Sequence, residues 1–238
     1  LKLIDTCGTG GTGIGIFNVS TTSAFVASHC GAKVAKHGNR SATRKSGSAD
    51  LLEQAGVSLD LSPDQVASCI EQVGLGFMFA QAHHSAMRHV VGPRKEIGQK
   101  SIFNVLGPLT NPASAKRQVM GVYNKDLMIP IAEVLKELGS EHVLIVHSED
   151  GLDEISIASP TLVTEMKYGK ISEYKICPED FNFSTSSLEG LLVKTPEESL
   201  KIAKSALKGD HEQASAMVSM AAGAALYVSD IANSLESG

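Results

Sequence analysis

A chain of 238 residues, 42% of them hydrophobic, is long enough to bury a substantial core as one large domain. Its formal net charge of −5 argues against nucleic-acid binding over a whole basic face, and no apolar run is long enough to span a bilayer. No signal-peptide pattern is found, and the four cysteines (Cys7, Cys30, Cys69, Cys177) lack C-x-x-C spacing, so neither zinc nor a disulfide framework is indicated and a cytoplasmic location is expected.

In chain order, Lys2-Leu3-Ile4 reads as a short buried strand. It runs into four glycines in the six residues from Gly8 to Gly13. Glycine-rich backbone can turn successive N–H groups toward an anion. Asn18, Ser20 and Thr21 are each candidate N-caps of a helix through Ala24-Phe25-Val26-Ala27 toward Gly31, which adds a helix N-terminus to the same place. Ala32-Lys33-Val34-Ala35 reads as the next strand and delivers Lys36, His37, Asn39, Arg40, Arg44 and Lys45 to one edge. No carboxylate occurs between Asp5 and Asp50, so this stretch is basic within an acidic chain and suits an anionic small molecule. Gly8-x-Gly10-x-x-Gly13 matches the dinucleotide fingerprint, but Gly15 prolongs the loop and the acidic residue expected about 20 positions on is absent. The P-loop lysine is absent as well.

Farther on, Asp50-x-x-Glu53 is a possible capping box for a helix over 51–55, stopped by Gly56. Ser62-Pro63-Asp64-Gln65 predicts a helix to Val73, ended by Gly74. Phe77-Met78-Phe79 reads as a strand end and 81–91 as a helix broken by Pro93. Val119 to Tyr123 is expected as a strand, Leu127 to Leu138 as a helix, His142 to His147 as a strand, and Ile155 to Ile176 as strand-like with turns near Pro160 and Gly169. Thr195-Pro196-Glu197-Glu198 is a second capping box, opening a helix to Leu207. Residues 213–231 form an Ala-rich helix with Met217, Met220, Ala224 and Val228 on one face, read as core packing. The alternation predicts an α/β fold: a central, mostly parallel or mixed sheet flanked by helices, with ligand loops at the carboxyl ends of the strands.

Three more constellations stand out. Asp150-Gly-Leu-Asp153-Glu154 is either an exposed acidic turn or a set of hard oxygen ligands that suits Mg²⁺. His83-His84 with Arg88 and His89 lacks metal-site spacing and reads as structural or substrate-lining. Arg94 is either an ordinary surface arginine or the bidentate partner of a carboxylate.

Gly8-Thr-Gly-Gly11, Asn18-Val-Ser-Thr21, Lys36-His-Gly-Asn-Arg-Ser41, Ser46-Gly-Ser-Ala-Asp50, Phe103-Asn-Val-Leu-Gly-Pro-Leu-Thr-Asn-Pro112 and Asp150-Gly-Leu-Asp-Glu-Ile155 together resemble the anthranilate phosphoribosyltransferase family. The likeness covers nearly the whole chain, and the Lys36–Arg40 block is its most specific part. The resemblance implies transfer of a phosphoribosyl group from phosphoribosyl pyrophosphate to the amine of anthranilate, in tryptophan biosynthesis, with Mg²⁺ as cofactor. It implies a pyrophosphate and ribose site made of Gly8, Gly11, Thr12, Ile16, Asn18, Val19, Ser20, Thr21, Lys36, His37, Gly38, Asn39, Arg40, Ser41, Ala42, Thr43, Arg44 and Ser48. Gly8, Asn39, Arg94 and Pro108 would hold anthranilate, Ser20, Asp153 and Glu154 the metal, and His37 and Arg94 are the catalytic candidates.

The family fold adds a small helical domain. Residues 1–80 and 101–238 are therefore expected in the α/β domain and 81–100 in the helical part or hinge, with the family's N-terminal helical segment missing and a homodimer as the assembly. Thr12 stands where the family usually has Asp, Ile16 where it has a hydroxyl, Arg44 where it has a small residue, and Leu192-Val193-Lys194 where it has a glycine-rich turn. A pyrimidine nucleoside phosphorylase and a non-catalytic relative that binds phosphorylated ligands or nucleic acid remain open alternatives.

Overall fold

The structure, a computed structural model, describes residues 2–41, 46–83 and 102–238. Seven strands form one sheet: β1 (Leu3–Gly8), β2 (Lys33–Gly38), β3 (Leu75–Phe79), β4 (Arg117–Gly121), β5 (His142–Ser148), β6 (Thr161–Lys167) and β7 (Lys170–Ile176), in the order β3-β2-β1-β4-β5-β6-β7. The first five strands in that order run parallel, and β6 and β7 add antiparallel at one edge, as the mixed-sheet expectation requires. The order reverses between β1 and β4, which leaves a crevice beyond their carboxyl ends.

Among the described residues the α-helices are α1 (Val19–His29), α2 (Ser48–Gln54), α3 (Pro63–Val73), α4 (Ala80–His83), α5 (Phe103–Leu109), α6 (Met128–Glu137), α7 (Pro196–Lys208) and α8 (Glu212–Val228). Most of α8 is buried, including Met217, Met220, Ala224 and Val228, and its small side chains let it pack closely on α1. That packing forms the main core with Ile4, Phe17, Val34, Leu144 and Leu152. A second core, on Met120, Ile131, Leu135 and Val143, lies under α6.

Local chemistry explains several boundaries. Ser62 Oγ accepts the Gln65 N–H at 3.3 Å while Gln65 Oε1 accepts the Ser62 N–H at 2.8 Å, the reciprocal box expected, and Gly74 closes α3. Thr195 Oγ1 caps α7 through the Glu198 N–H at 3.2 Å, but the Glu198 carboxylate turns outward to the Lys194 N–H at 2.6 Å, so this box is only half closed. Helix α2 starts at Ser48, ahead of the expected position, because the Asp50 carboxylate reaches back to the Gly47 N–H at 2.8 Å. Residues 155–160 are turns rather than strand: Asp150 accepts the Ser156 hydroxyl at 2.5 Å, and the Thr161 hydroxyl accepts the Ser156 N–H at 3.1 Å. Of the helix expected over 81–91, residues 81–83 fall in α4, and the rest lies outside the described residues.

Candidate active site

The loops after β1, β2, β4 and β5 meet at the switch point. After β1, Gly10, Gly11 and Gly13 all take positive φ, which turns the chain back on itself. The loop is fastened to the far side of the crevice: the Thr9 N–H donates to the Gly121 carbonyl at 2.9 Å, Thr9 Oγ1 accepts the Tyr123 N–H at 3.0 Å, and the Gly10 N–H donates to Asp153 Oδ2 at 2.9 Å. Close approach makes this possible. A Cβ on Gly8 would meet Asp153 Oδ2 at 3.0 Å, and one on Gly121 would stand 1.7 Å from the Asp153 carbonyl oxygen.

The turn after β5 is shaped from within. Asp150 accepts the Leu152 N–H and the Ser156 hydroxyl, and Ser148 Oγ donates to the Glu154 carbonyl at 2.6 Å. Asp150 is thus spent on the turn, Asp153 faces the glycine loop, and Glu154 lines a small cavity with Thr6, Ser20 and Ser23. The cavity volume is about 10 Å³, room for one water-sized sphere.

From the β2 side, Lys36 is 2% exposed. Its Nζ donates to the Thr6 carbonyl and lies 3.4 Å from Thr6 Oγ1 and 3.5 Å from Ser20 Oγ. Burial lowers its pKa, partly offset by Asp5, Cys7 and Glu154. Asp5, fully buried, has its carboxyl pushed up by desolvation against the pull of Lys36, Asn111 and the His37 N–H. β1 pairs with β2 at Leu3–Lys33 and Ile4–Val34, and farther along side chains join the strands. Asp5 Oδ1 accepts the His37 N–H at 3.1 Å, and Asn111 Nδ2 donates to Asp5 Oδ2 at 2.7 Å and to the Ala35 carbonyl at 2.9 Å. Neither Asp5 nor Asn111 stood among the candidate site residues. The available signal was a carboxylate directly before the glycine loop and an Asn in an Asn-Pro turn.

The other candidates divide. Ser20 meets both Lys36 and Glu154, while Asp153 sits against the glycine loop. The Thr21 hydroxyl is 1% exposed and has no partner among the described residues. Val19 and Ile16 bury their side chains in the main core, so each can reach a ligand only through backbone. Thr12 Oγ1 accepts the Ile14 N–H at 3.4 Å within its own loop. His37 is 8% exposed at the end of β2. Asn39 Oδ1 accepts the Arg40 N–H at 2.8 Å. Its carbonyl accepts the Ser48 hydroxyl and the Ala49 N–H, both at 3.3 Å. Arg40 spreads its guanidinium over Glu53 at 2.7 and 2.9 Å and Asp50 at 3.1 Å, an exposed cluster that raises its pKa. The Asp50 carboxylate also accepts the Ser41 N–H at 3.1 Å and so joins the two ends of the basic loop. Pro108, in α5, is anchored through its carbonyl by the buried Gln118 amide at 2.8 Å. Ala42, Thr43, Arg44, Lys45, His84, Arg88, His89 and Arg94 lie outside the described residues.

A sequence model described as the glycosyl transferase family, a/b domain, matches residues 1–238. The anthranilate phosphoribosyltransferase of Ectopseudomonas mendocina (strain ymp) is 59% identical over 241 residues, which is 100% of this chain and 69% of that protein. This chain belongs to the anthranilate phosphoribosyltransferase family. The Azotobacter vinelandii member is 58% identical with the same coverage. Among solved structures, the family member from Thermus thermophilus superposes with a TM-score of 0.92 at 44% identity, over 99% of this chain and 70% of that one. The Saccharomyces cerevisiae family member, solved in complex with PRPP (phosphoribosyl pyrophosphate) and Mg, superposes with a TM-score of 0.88 at 29% identity, over 98% of this chain and 66% of that one.

Proposed function

We propose that this protein joins anthranilate to phosphoribosyl pyrophosphate. The anthranilate nitrogen forms a bond to C1 of the ribose as the bond from C1 to the pyrophosphate oxygen breaks. The amine proton is lost, and the products are N-(5-phosphoribosyl)anthranilate and pyrophosphate. The observation that carries this reading is the meeting, at one sheet edge, of the glycine loop, the α1 N-terminus, buried Lys36 and the Asp153-Glu154 pair. Positive charge develops on the sugar ring and negative charge on the leaving group, so a pre-formed cradle of donors and an aligned amine supply most of what is needed.

Ser20, Asp153 and Glu154 would hold Mg²⁺. They are hard oxygen donors, and Ser20 and Glu154 line one cavity. Among the described residues no group of three or more His, Cys, Asp or Glu forms a dedicated metal cage. Mg²⁺ suits such a sparse set because it keeps waters and phosphate oxygens in its shell. Bound there, it would neutralise pyrophosphate charge.

The glycine loop, residues 18–21, Lys36 to Arg44 and Ser48 contact phosphoribosyl pyrophosphate in this proposal. Arg40 must release Glu53, and exposed ion pairs give way at little cost. Gly8, Asn39, Arg94 and Pro108 orient anthranilate, with Arg94 on its carboxylate and His37 as the candidate base. Residues 81–100 would act as the hinge to a small helical domain, the assembly would be a homodimer and the location cytoplasmic. No helix among the described residues is long and apolar enough to cross a membrane. In support of the ligand assignments, the yeast relative has also been solved in complex with 4-fluoroanthranilate. The deciding assay follows loss of anthranilate fluorescence with phosphoribosyl pyrophosphate, with and without Mg²⁺. Mg²⁺-dependent consumption that Arg94→Ala abolishes is expected; a folded protein that consumes none overturns the proposal.

A further inference from the structure

Asn18 is by residue type among the best helix caps, yet its side chain makes no bond to α1. Its Oδ1 instead accepts the hydroxyls of Ser46 and Ser199, each at 2.7 Å, and its Nδ2 donates to the Ser46 carbonyl at 3.2 Å. Its own N–H donates to Ser199 Oγ at 3.1 Å. Ser199, in the first turn of α7, is 0% exposed and Ser46 is 3% exposed. Ser199 therefore grips both the backbone and the side chain of Asn18 across 181 positions of sequence.

The diverted cap has a direct consequence. A capping Asn would satisfy the second or third amide of its helix, here Ser20 or Thr21. Neither amide has a partner among the described residues. Free first-turn amides are what a helix N-terminus offers an anion. Meanwhile Ser46, two residues before Ser48, is fixed against the same Asn18.

We propose that Ser199 is a positioning residue for the phosphoribosyl substrate: it holds Asn18 off the end of α1, keeping that helix N-terminus open to the phosphate groups, and with Ser46 it fixes the turn that leads into α2. The inference rests on the phosphoribosyl reading above. It makes an unusual demand of the variant Ser199→Ala. With the Ser199 hydroxyl gone, Asn18 keeps only its bonds to Ser46, and exchanging the Oδ1 bond there for the Ser20 or Thr21 amide caps the helix. Helix capping then offsets part of the lost bonding, so folding stability changes little, while the anion loses its donors.

The test measures phosphoribosyl pyrophosphate binding by calorimetry with Mg²⁺ present, beside steady-state kinetics and thermal unfolding. For Ser199→Ala the dissociation constant and KM for phosphoribosyl pyrophosphate should rise about tenfold. KM for anthranilate should stay within about twofold, and amide exchange at Ser20 and Thr21 should slow as the cap forms. Ser46→Ala, which removes the other hydroxyl from Asn18 Oδ1, should act in the same direction and stands in if the first variant does not fold. The double variant should fall short of the product of the two effects. A wild-type protein that binds phosphoribosyl pyrophosphate beside variants that bind it equally well overturns the inference. So does an equal loss for both substrates accompanied by a lower melting temperature, which marks a structural role alone. A wild-type protein that does not bind phosphoribosyl pyrophosphate overturns the functional reading itself, and this inference falls with it.

Discussion

Gly121→Ala offers the sharpest test of how the sheet aims the Asp153-Glu154 turn, the proposed Mg²⁺ site. The added methyl would stand 1.7 Å from the Asp153 carbonyl oxygen and 2.5 Å from its carbonyl carbon, where real contacts stop at 3.0 Å. Both atoms are backbone, so no rotamer change relieves the clash. The Asp153 segment must retreat by roughly 1.3 Å, the kind of overpacking that costs about 1–3 kcal/mol or more. That retreat also stretches the 2.9 Å bond from the Gly10 N–H to Asp153 Oδ2, a hydrogen bond to a carboxylate worth about 1.5–3 kcal/mol. Displacing a positioning group by about 1 Å costs on the order of 10²-fold in rate. The variant should therefore lose about 3–5 kcal/mol in urea unfolding, at least about a hundredfold in kcat/KM, and its Mg²⁺ requirement for half-activity should rise. Gly107→Ala is the control, because a Cβ there meets nothing within 4 Å, and its Mg²⁺ dependence should match wild type. A Gly121→Ala protein with wild-type turnover and Mg²⁺ dependence would refute the claim that this close approach sets the position of Asp153.

Asn111→Ala strips donors from the buried Asp5 carboxylate and the Ala35 carbonyl and should cost about 2–4 kcal/mol in urea unfolding, with Asn111→Asp worse because it sets two carboxylates together. Glu165 is 8% exposed and accepts from Tyr227 at 2.8 Å and Tyr174 at 2.9 Å, with His142 Nε2 at 2.7 Å. Burial pushes its pKa up, but those three partners outweigh burial and hold it below the ordinary 4.5. Its contribution is thus complete above that pH and lost as pH falls below it, so the gap of about 2–3 kcal/mol between wild type and Glu165→Gln at pH 7 should shrink in acid unfolding titrations. Asp230 accepts from Lys2 and Arg117 at 2.8 Å, and Lys2 foremost, with Arg117, draws its pKa down to about 2 against a smaller desolvation effect. Partial exposure screens this, so Asp230→Asn should cost only about 1 kcal/mol at pH 7, a cost that fades as pH falls through about 2 and is gone well below it, read by the same titration. Ile16→Thr puts a hydroxyl into the core at a site 2% exposed and should lower unfolding free energy by about 2–3 kcal/mol, while dissociation constants for phosphoribosyl pyrophosphate change less than threefold.

What was legible in the sequence is what local chemistry decides. Ser62-Pro63 and Thr195-Pro196 announced their helices because caps act within four residues, and glycine stops closed them. The first three loops could be read together because apolar segments alternate with them at strand and helix lengths. The Arg40 fork was not legible: its partners Asp50 and Glu53 are set by how α2 folds back on the basic loop. The Asp5–Asn111 and Asn18–Ser199 links span 106 and 181 positions, and nothing periodic in a chain encodes such pairs. Ile16 was read from its motif as a ligand position, yet its side chain is apolar and went where water exclusion sends it.

The burial of Ile16 explains a second departure. Ile16 forms an antiparallel bridge with Leu192, the Val193 N–H donates to the Gly15 carbonyl at 2.8 Å, and the Phe17 N–H donates to the Leu191 carbonyl at 3.0 Å. Leu191 and Val193 enter the same core as Ile16 and Phe17. The resemblance to the family marks Ile16 as replacing a hydroxyl and Leu192-Val193-Lys194 as replacing a glycine-rich turn. In space the two replacements are one: the segment after the Glu189–Leu191 turn, bridged at Leu192, lays buried Leu191 and Val193 against the apolar Ile16-Phe17 loop. Burying Ile16 and Val193 together contributes about 3–6 kcal/mol, which a hydroxyl facing a glycine turn would not supply. The Thr12 hydroxyl accepts the Ile14 N–H in a turn inside the loop, while Asp153 serves the neighbouring Gly10 amide. The glycine loop is thus braced from behind by residues 191–193 and in front by Asp153. Its rigidity comes from packing and backbone pairing, so the loop holds its shape before any anion arrives and little ordering entropy is left to be lost on binding.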